Sequence, residues 1–192
     1  MKHLSDRFTA VLDANVLYPA LVRDVLLSLA YAGLYRARWT AKITEEWSEH
    51  LIGRFPGKRV KIKATVRCMN EEFPEAIVEC YEPLVDALDL PDPNDRHVLA
   101  AAVKDGAHLI VTENLREFPP EILVPLDIEA RTADDFIVNT IQLHEAEAVA
   151  AIRDMRAKYE APPVSANELI SRLVKAGLVT TAAELKPHID VI

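Results

Sequence analysis

The chain has 192 residues, half of them hydrophobic, with 22 Lys+Arg against 30 Asp+Glu and a net charge of −8. That apolar content supports a packed core and excludes a disordered or fibrous protein, and the length fits one ordinary domain with an addition. Apolar runs such as Ala30 to Ala32 and Val98 to Val103 are far too short to cross a bilayer, and the acidic total argues at first against a nucleic-acid ligand, whose usual footprint is basic. Cys68 and Cys80 lack metal-site spacing, and the polar stretch Met1 to Asp6 lacks the apolar core of a signal peptide. Both features predict a cytoplasmic protein with idle thiols.

Phe8 to Leu12 is short, apolar and β-prone, and predicts a buried first strand ending at Asp13. Helical spacing follows over Val16 to Ala32, with Gly33 as C-cap. Tyr35 to Trp39 fits a second strand, and Thr40 an N-cap for a helix through Leu51, broken by Gly53, Pro56 and Gly57. Helices are predicted over Val60 to Met69 and Pro74 to Ala87, the second kinked at Pro83. After the Pro91 and Pro93 turn, Asn94 or Asp95 opens a helix to Lys104. His108 to Val111 is a third strand and Leu123 to Ile128 a fourth, ending near Glu129. Strands alternating with helices imply a parallel sheet covered on both faces. The tail is helical: one long pattern over Asp134 to Tyr159, a joint at Pro162-Pro163, a helix from the Ser165 cap to Ala176 with Glu168 placed for a capping box, and a last turn over Thr181 to Leu185.

In open α/β sheets, ligands bind outside the carboxyl ends of the strands. Asp13 stands at the end of the first strand, and Thr112, Glu113 and Asn114 at the end of the third. Asp92 and Asp95 flank a helix start, and Glu45 and Glu46 fall one turn into another helix. Each acid alone reads as a cap, a turn residue or a solvated first-turn charge. Gathered together they form a cluster that repels itself and suits a hard divalent cation with oxygen ligands, which can activate water against a phosphodiester.

These residues also resemble a known family. Leu12-Asp13-Ala14-Asn15-Val16-Leu17 looks like the opening motif of PIN domains, and Trp39-Thr40 through Glu46-Trp47 and Leu51 like the segment carrying the family's central acid. Asp92-Pro93-Asn94-Asp95-Arg96-His97 into Ala100 to Ala102 is similar to the third motif, and Leu109 through Thr112-Glu113-Asn114 to Phe118 to the fourth. The variant resembles the bacterial VapC-type toxins, ribonucleases held inactive by an antitoxin. The resemblance implies a three-layer α/β/α PIN-like fold with a short central parallel sheet over residues 1–131 and a C-terminal helical extension over 132–192.

It also implies Asp13, Glu46 and Asp95 as catalytic, metal-binding acids. Glu46 is preferred to Glu45 because the family's acid stands five residues before a leucine, here Leu51. Asp92 is an auxiliary acid, and Asn114 stands where the family often has Asp, offering an oxygen without charge. Thr112 and Asn15 would orient the site, while His97 reads as a packing or surface residue. Mg²⁺ or Mn²⁺ is the expected cofactor. RNA, a cognate antitoxin and a second copy of the chain are the expected partners, and no membrane is. A haloacid-dehalogenase-like phosphatase would need a second Asp where Asn15 stands. A non-catalytic PIN-like module that only holds RNA or protein sits poorly with the intact acids.

The net charge is segregated. Arg54, Lys58, Arg59, Lys61, Lys63 and Arg67 are cations in a stretch without any acid between His50 and Asn70, and Glu71 to Asp95 holds nine acids and no Lys or Arg. Either run alone reads as a solvated helix face, yet a basic arm that holds RNA phosphates, followed by an acidic run into a metal pocket, is what a metal-dependent nuclease would use, so the acidic total does not exclude a nucleic-acid substrate.

Overall fold

The computed structural model describes residues 8–192; the polar stretch Met1 to Asp6 lies outside them. Among the described residues no helix is long and apolar enough to cross a membrane. The chain divides into two compact units, one of residues through Tyr18 with Arg36–Arg131, the other of Pro19–Tyr35 with Thr132–Ile192. Residues 19–35 thus group by their contacts with the terminal helices.

The first unit is built on a four-stranded parallel sheet of order β2-β1-β3-β4, from β1 (Thr9–Leu12), β2 (Arg36–Arg38), β3 (Leu109–Val111) and β4 (Glu129–Arg131). All four β1 residues are buried, as a central strand covered on both faces requires. In register, Val11 faces Arg38 on one side and Ile110 on the other, and Leu12 faces Val111. Asp13 and Thr112 therefore leave adjacent strands at the same level.

A short helix α1 (Ala14–Leu17) begins at Asp13, and Pro19 ends what the apolar spacing suggested was one helix from Val16 to Ala32. Pro19 is extended and lacks an N–H, so it separates α1 from α2 (Ala20–Tyr31). Thr40 caps α3 (Ala41–Arg54) by accepting from the Ile43 N–H at 3.1 Å, and α4 (Arg59–Glu72) follows. The helix expected over Pro74 to Ala87 is not formed. Pro74 to Ala76 is one 3-10 turn, and Ile77 pairs beside Trp39 as a parallel bridge. The Trp39 N–H donates to Ala76 O and the Val78 N–H to Trp39 O, so this segment extends the sheet edge and only α5 (Glu82–Val85) is helical. Buried Val78 explains the preference for an edge over a solvated helix.

A 3-10 turn at Pro93–Asp95 leads into α6 (Arg96–Asp105), which ends at Gly106 with φ 66, a conformation that favours glycine. The predicted fourth strand is displaced: Leu123 ends α7 (Pro120–Leu123), Val124–Leu126 is a 3-10 turn, and the strand is Glu129–Arg131. An edge strand needs no apolar run, so the hydrophobic signal pointed to the wrong residues.

In the second unit the long pattern over Asp134 to Tyr159 splits at His144 into α8 (Ala133–Leu143) and α9 (Glu145–Ala157). Ser165 caps α10 (Ala166–Lys175) through the Glu168 N–H, while the Glu168 carboxylate pairs with Arg172 instead of closing a capping box. The last helix is α11 (Val179–Leu185). Its first N–H groups lack a cap of their own and are served from α8: Asp134 accepts from the Thr180 and Thr181 N–H groups and the Thr181 hydroxyl at 2.7–2.8 Å. Partial burial pushes the Asp134 carboxyl up, but these hydrogen bonds hold it below its ordinary value. Helix α2 packs on α8, α9 and α10. The Tyr35 hydroxyl donates to Leu26 O at 3.0 Å, its ring meets Phe136 edge-on at 4.8 Å, and the Tyr159 hydroxyl donates to Asp24 at 2.6 Å.

Cutting the chain after Arg131 removes the helices that α2 packs on, with Val22, Val25, Leu26 and Leu29 left to find new cover. The product is expected to aggregate or to bind a hydrophobic dye without a cooperative melt; a soluble fragment with a sharp thermal transition would show the reverse.

Candidate active site

Asp13 organises the carboxyl edge of the sheet. Its side chain is only 4% exposed. One oxygen accepts from the Ala14 N–H at 2.6 Å, and the other accepts from Asn15 Nδ2 and the Thr112 hydroxyl, both at 2.7 Å. Thr112 in turn accepts from Asn15 Nδ2 at 2.9 Å and the Asn114 N–H at 3.1 Å, so one donor and two acceptor positions of the hydroxyl are used. The Asn15 carbonyl accepts from the Glu113 N–H at 3.0 Å. Asp13, Asn15 and Thr112 thus lock the ends of β1 and β3 together. Burial still pushes the Asp13 carboxyl above its ordinary value, with these hydrogen bonds and His97 pulling it down and Glu46 pushing it up.

Asp95 is the second acid of the group. It opens α6 but makes no capping hydrogen bond with its side chain, so the cap reading that suited it in isolation does not describe it. Burial, with Asp13, Asp92 and Glu117 adding repulsion against the pull of His97, pushes its carboxyl up to about 6. Asp92 does serve its turn, accepting from the Asn94 N–H at 2.8 Å and Asn94 Nδ2 at 3.0 Å.

The two adjacent glutamates of α3 face different ways. Glu46 reaches the buried His97 Nε2 at 3.0 Å and Lys42 at 3.9 Å, and its charge acts on Asp13. Glu45 instead lines a cleft of about 700 Å³ between α3 and α4, with Trp39, Lys63 and Arg67. His97 is neither a surface residue nor only packing: it is 2% exposed, and one nitrogen is spent on Glu46 while Nδ1 has no partner among the described residues. Asn114 is exposed and contributes its backbone N–H.

Glu117 was missed in the sequence. The 3-10 turn Leu115–Glu117, closed by the Glu117 N–H to Asn114 O at 2.9 Å, brings its charge to bear on Asp95. An acid one such turn beyond Asn114 was the available signal.

The expected donors do not stand as a ready cage. Among the described residues no three His, Cys, Asp or Glu side chains converge tightly enough to hold a metal ion as they are. The donor set nevertheless fits a hard cation in kind: Asp13 and Asp95 are oxygen donors held in mutual repulsion, and neutralising that repulsion is what such an ion does.

The six cations of the expected basic arm do not make one surface. All are exposed, but Arg54 and Lys58 gather over the Phe55 ring at 5.4 and 5.1 Å, whereas Lys63 and Arg67 line the cleft on the Glu45 side, with Arg67 paired to Glu71 at 3.7 Å. Arg59 and Lys61 lie on α4 as well.

Two family models match the chain. The PIN domain family model matches residues 9–116, more than half of the chain, including the strand ends that carry Asp13 and Thr112 and the helix start that carries Asp95. The chain belongs to the PIN-domain family. The PIN match runs through residues 19–35, which pack with the second unit, and a separate model, the VapC50 C-terminal domain, matches residues 133–187. A curated relative from Mycobacterium tuberculosis (strain ATCC 25618 / H37Rv), named "Putative ribonuclease VapC50", is 43% identical over 93 residues, which are 48% of this chain and 54% of that protein. The chain thus spans about half the length of the curated relative it matches. No solved structure matches.

The raised Asp95 carboxyl predicts a pH effect. An acid whose folded value lies above its ordinary 3.8 favours folding while protonated and loses that contribution as pH rises through about 6. Asp95→Asn removes the repulsion, so in chelator at pH 8 it is expected to melt about 2–4 °C above the unsubstituted chain, the shift from about 1 kcal/mol once solvent screening is allowed for. The gain should vanish near pH 4; an equal gain at both pH values would mean that Asp95 does not feel its neighbours.

Proposed function

We propose that this PIN domain is a metal-dependent endoribonuclease and the toxin of a toxin–antitoxin pair. The observation that carries the reading is the set of repelling carboxylates at the carboxyl edge of the sheet, Asp13 and Asp95 with Glu46 beside them. The likeness to a relative named as a ribonuclease, and to the VapC50 C-terminal domain, supports the substrate and the toxin role.

Asp13, Asp95 and Glu46 would hold Mg²⁺ or Mn²⁺, with Asp92 and Glu117 adding negative charge. When bound, such an ion supplies an acidified water and a Lewis acid for a phosphoryl oxygen. The chain's own residues do the positioning. Thr112 and Asn15 fix the Asp13 carboxylate by donating to it, and the Asn15 amide also donates to Thr112 and accepts from the Glu113 N–H. His97 holds Glu46 at 3.0 Å from within the helix face that Asp95 opens. The reaction is hydrolysis, leaving a 3′-hydroxyl and a 5′-phosphate, and no side chain serves as nucleophile. A cognate antitoxin would restrain the activity, and a second copy of the chain is a further proposed partner.

With Mg²⁺ or Mn²⁺ the purified chain is expected to cut structured RNA and to stop in chelator. Asp13→Ala and Asp95→Ala should lower the rate by roughly 10³-fold or more, several kcal/mol of lost charge stabilisation. Sequencing of 5′-phosphate ends checks the product, and cutting that persists in chelator would sink the reading. Glu46→Gln should be as damaging, while Glu45→Gln should stay within about twofold, since surface substitutions shift energies by only about 0.5 kcal/mol. His97→Ala is expected to weaken Mn²⁺ binding about 10–100-fold, as for other groups that orient a ligand. Calorimetric titration reads this directly, and unchanged affinity would leave His97 with packing alone.

A further inference from the structure

The same helix that carries Glu46 continues outward as a surface unlike the rest of the acidic chain. Glu46, His50 and Arg54 are spaced four residues apart on α3 and so share one face, spanning about 12 Å. Tyr18 closes α1, the helix that starts at Asp13. Its ring lies 5.0 Å from that of His50, and its hydroxyl accepts from Arg54 at 3.3 Å. Arg54 and Lys58 then lie over the Phe55 ring, which is 40% exposed. Two rings, a cation, a third ring and a second cation therefore follow one another from one helical turn beyond Glu46 to the corner between α3 and α4.

We infer that this face, Tyr18–His50–Arg54–Phe55–Lys58, holds a single-stranded RNA segment leading out of the carboxylate site. The inference rests on the ribonuclease reading for its substrate. An unpaired base stacking on the exposed Phe55 ring would take the place of Arg54 and Lys58 over it and free those cations for the adjoining phosphates. A duplex buries its base faces in stacking and presents only its backbone and shallow groove, so it has no use for the rings. The acidic remainder of the chain disfavours a polyanion elsewhere, whereas no acid stands between His50 and Asn70. Arg54 and Lys58 thus act with aromatic neighbours, separately from Lys63 and Arg67 in their cleft.

Fluorescence anisotropy of the full chain in chelator, with a short labelled single-stranded oligoribonucleotide and with the matching duplex, tests this. Phe55→Ala and Tyr18→Ala should each weaken single-strand binding roughly 5–100-fold with little change in salt dependence, and Phe55→Trp should retain it. Arg54→Ala with Lys58→Ala should flatten the slope of log affinity against log salt by about 1.4. Wild-type affinity in Phe55→Ala, weak binding in Phe55→Trp, or duplex binding as tight as single-strand binding would overturn the inference. The two readings fail separately. RNA cleavage that ignores Phe55 and Tyr18 removes the track and leaves the ribonuclease, whereas ring-dependent binding by a chain that cuts no RNA keeps the track and removes the ribonuclease.

Discussion

A carboxylate buried at the end of a central strand needs compensation, and Asp13 obtains it from three hydrogen bonds, of which the one from Thr112 ties the end of β1 to that of β3. Thr112 is the pivot, donating to Asp13 while accepting from Asn15 and the Asn114 N–H. The parallel register that sets Leu12 beside Val111 makes this possible, because it delivers both residues to the same level of the sheet. The compensation is incomplete, since burial still raises the Asp13 carboxyl and its charge raises Asp95. That residual repulsion links the fold to the chemistry.

Helix α3 divides its work among its faces. Ile43 and Trp47 are buried in the core. Glu46 turns toward Asp13 and His97, and Glu45 toward the cleft with Lys63 and Arg67. The Thr40 cap sets where the helix begins and thereby which glutamate meets the site; one residue of slip would rotate the helix by about 100° and exchange them. His97 then holds Glu46 from α6, so two helices and two strands meet at a handful of polar atoms.

The second unit has its own logic. Asp134 supplies the cap that α11 lacks, and α2 joins helices that lie more than a hundred residues further along the chain. The family comparisons divide the chain otherwise at α2, since the PIN model covers residues 9–116 and a second model residues 133–187.

Much of this was legible in the residues themselves. The apolar run of β1, the Thr40 and Ser165 caps, the Gly106 stop and the four ordered motifs are local signals, and local physics decides them. Pro19 was legible too but outweighed by apolar spacing. Other features are tertiary. Residues 74 to 87 carry helical spacing, but Ile77 and Val78 join the sheet edge because Trp39 offers backbone groups beside them. Glu129–Arg131 is a strand because β3 lies alongside, with no apolar pattern to announce it. The basic run is continuous in sequence yet divides in space, since neighbouring helix positions point about 100° apart. Sequence alone determined which acids were available and that they stood at strand and helix ends. Tertiary structure decided which of them meet, because the distances between charges, and the burial that raises Asp13 and Asp95, exist only once β1, β3, α3 and α6 are packed together.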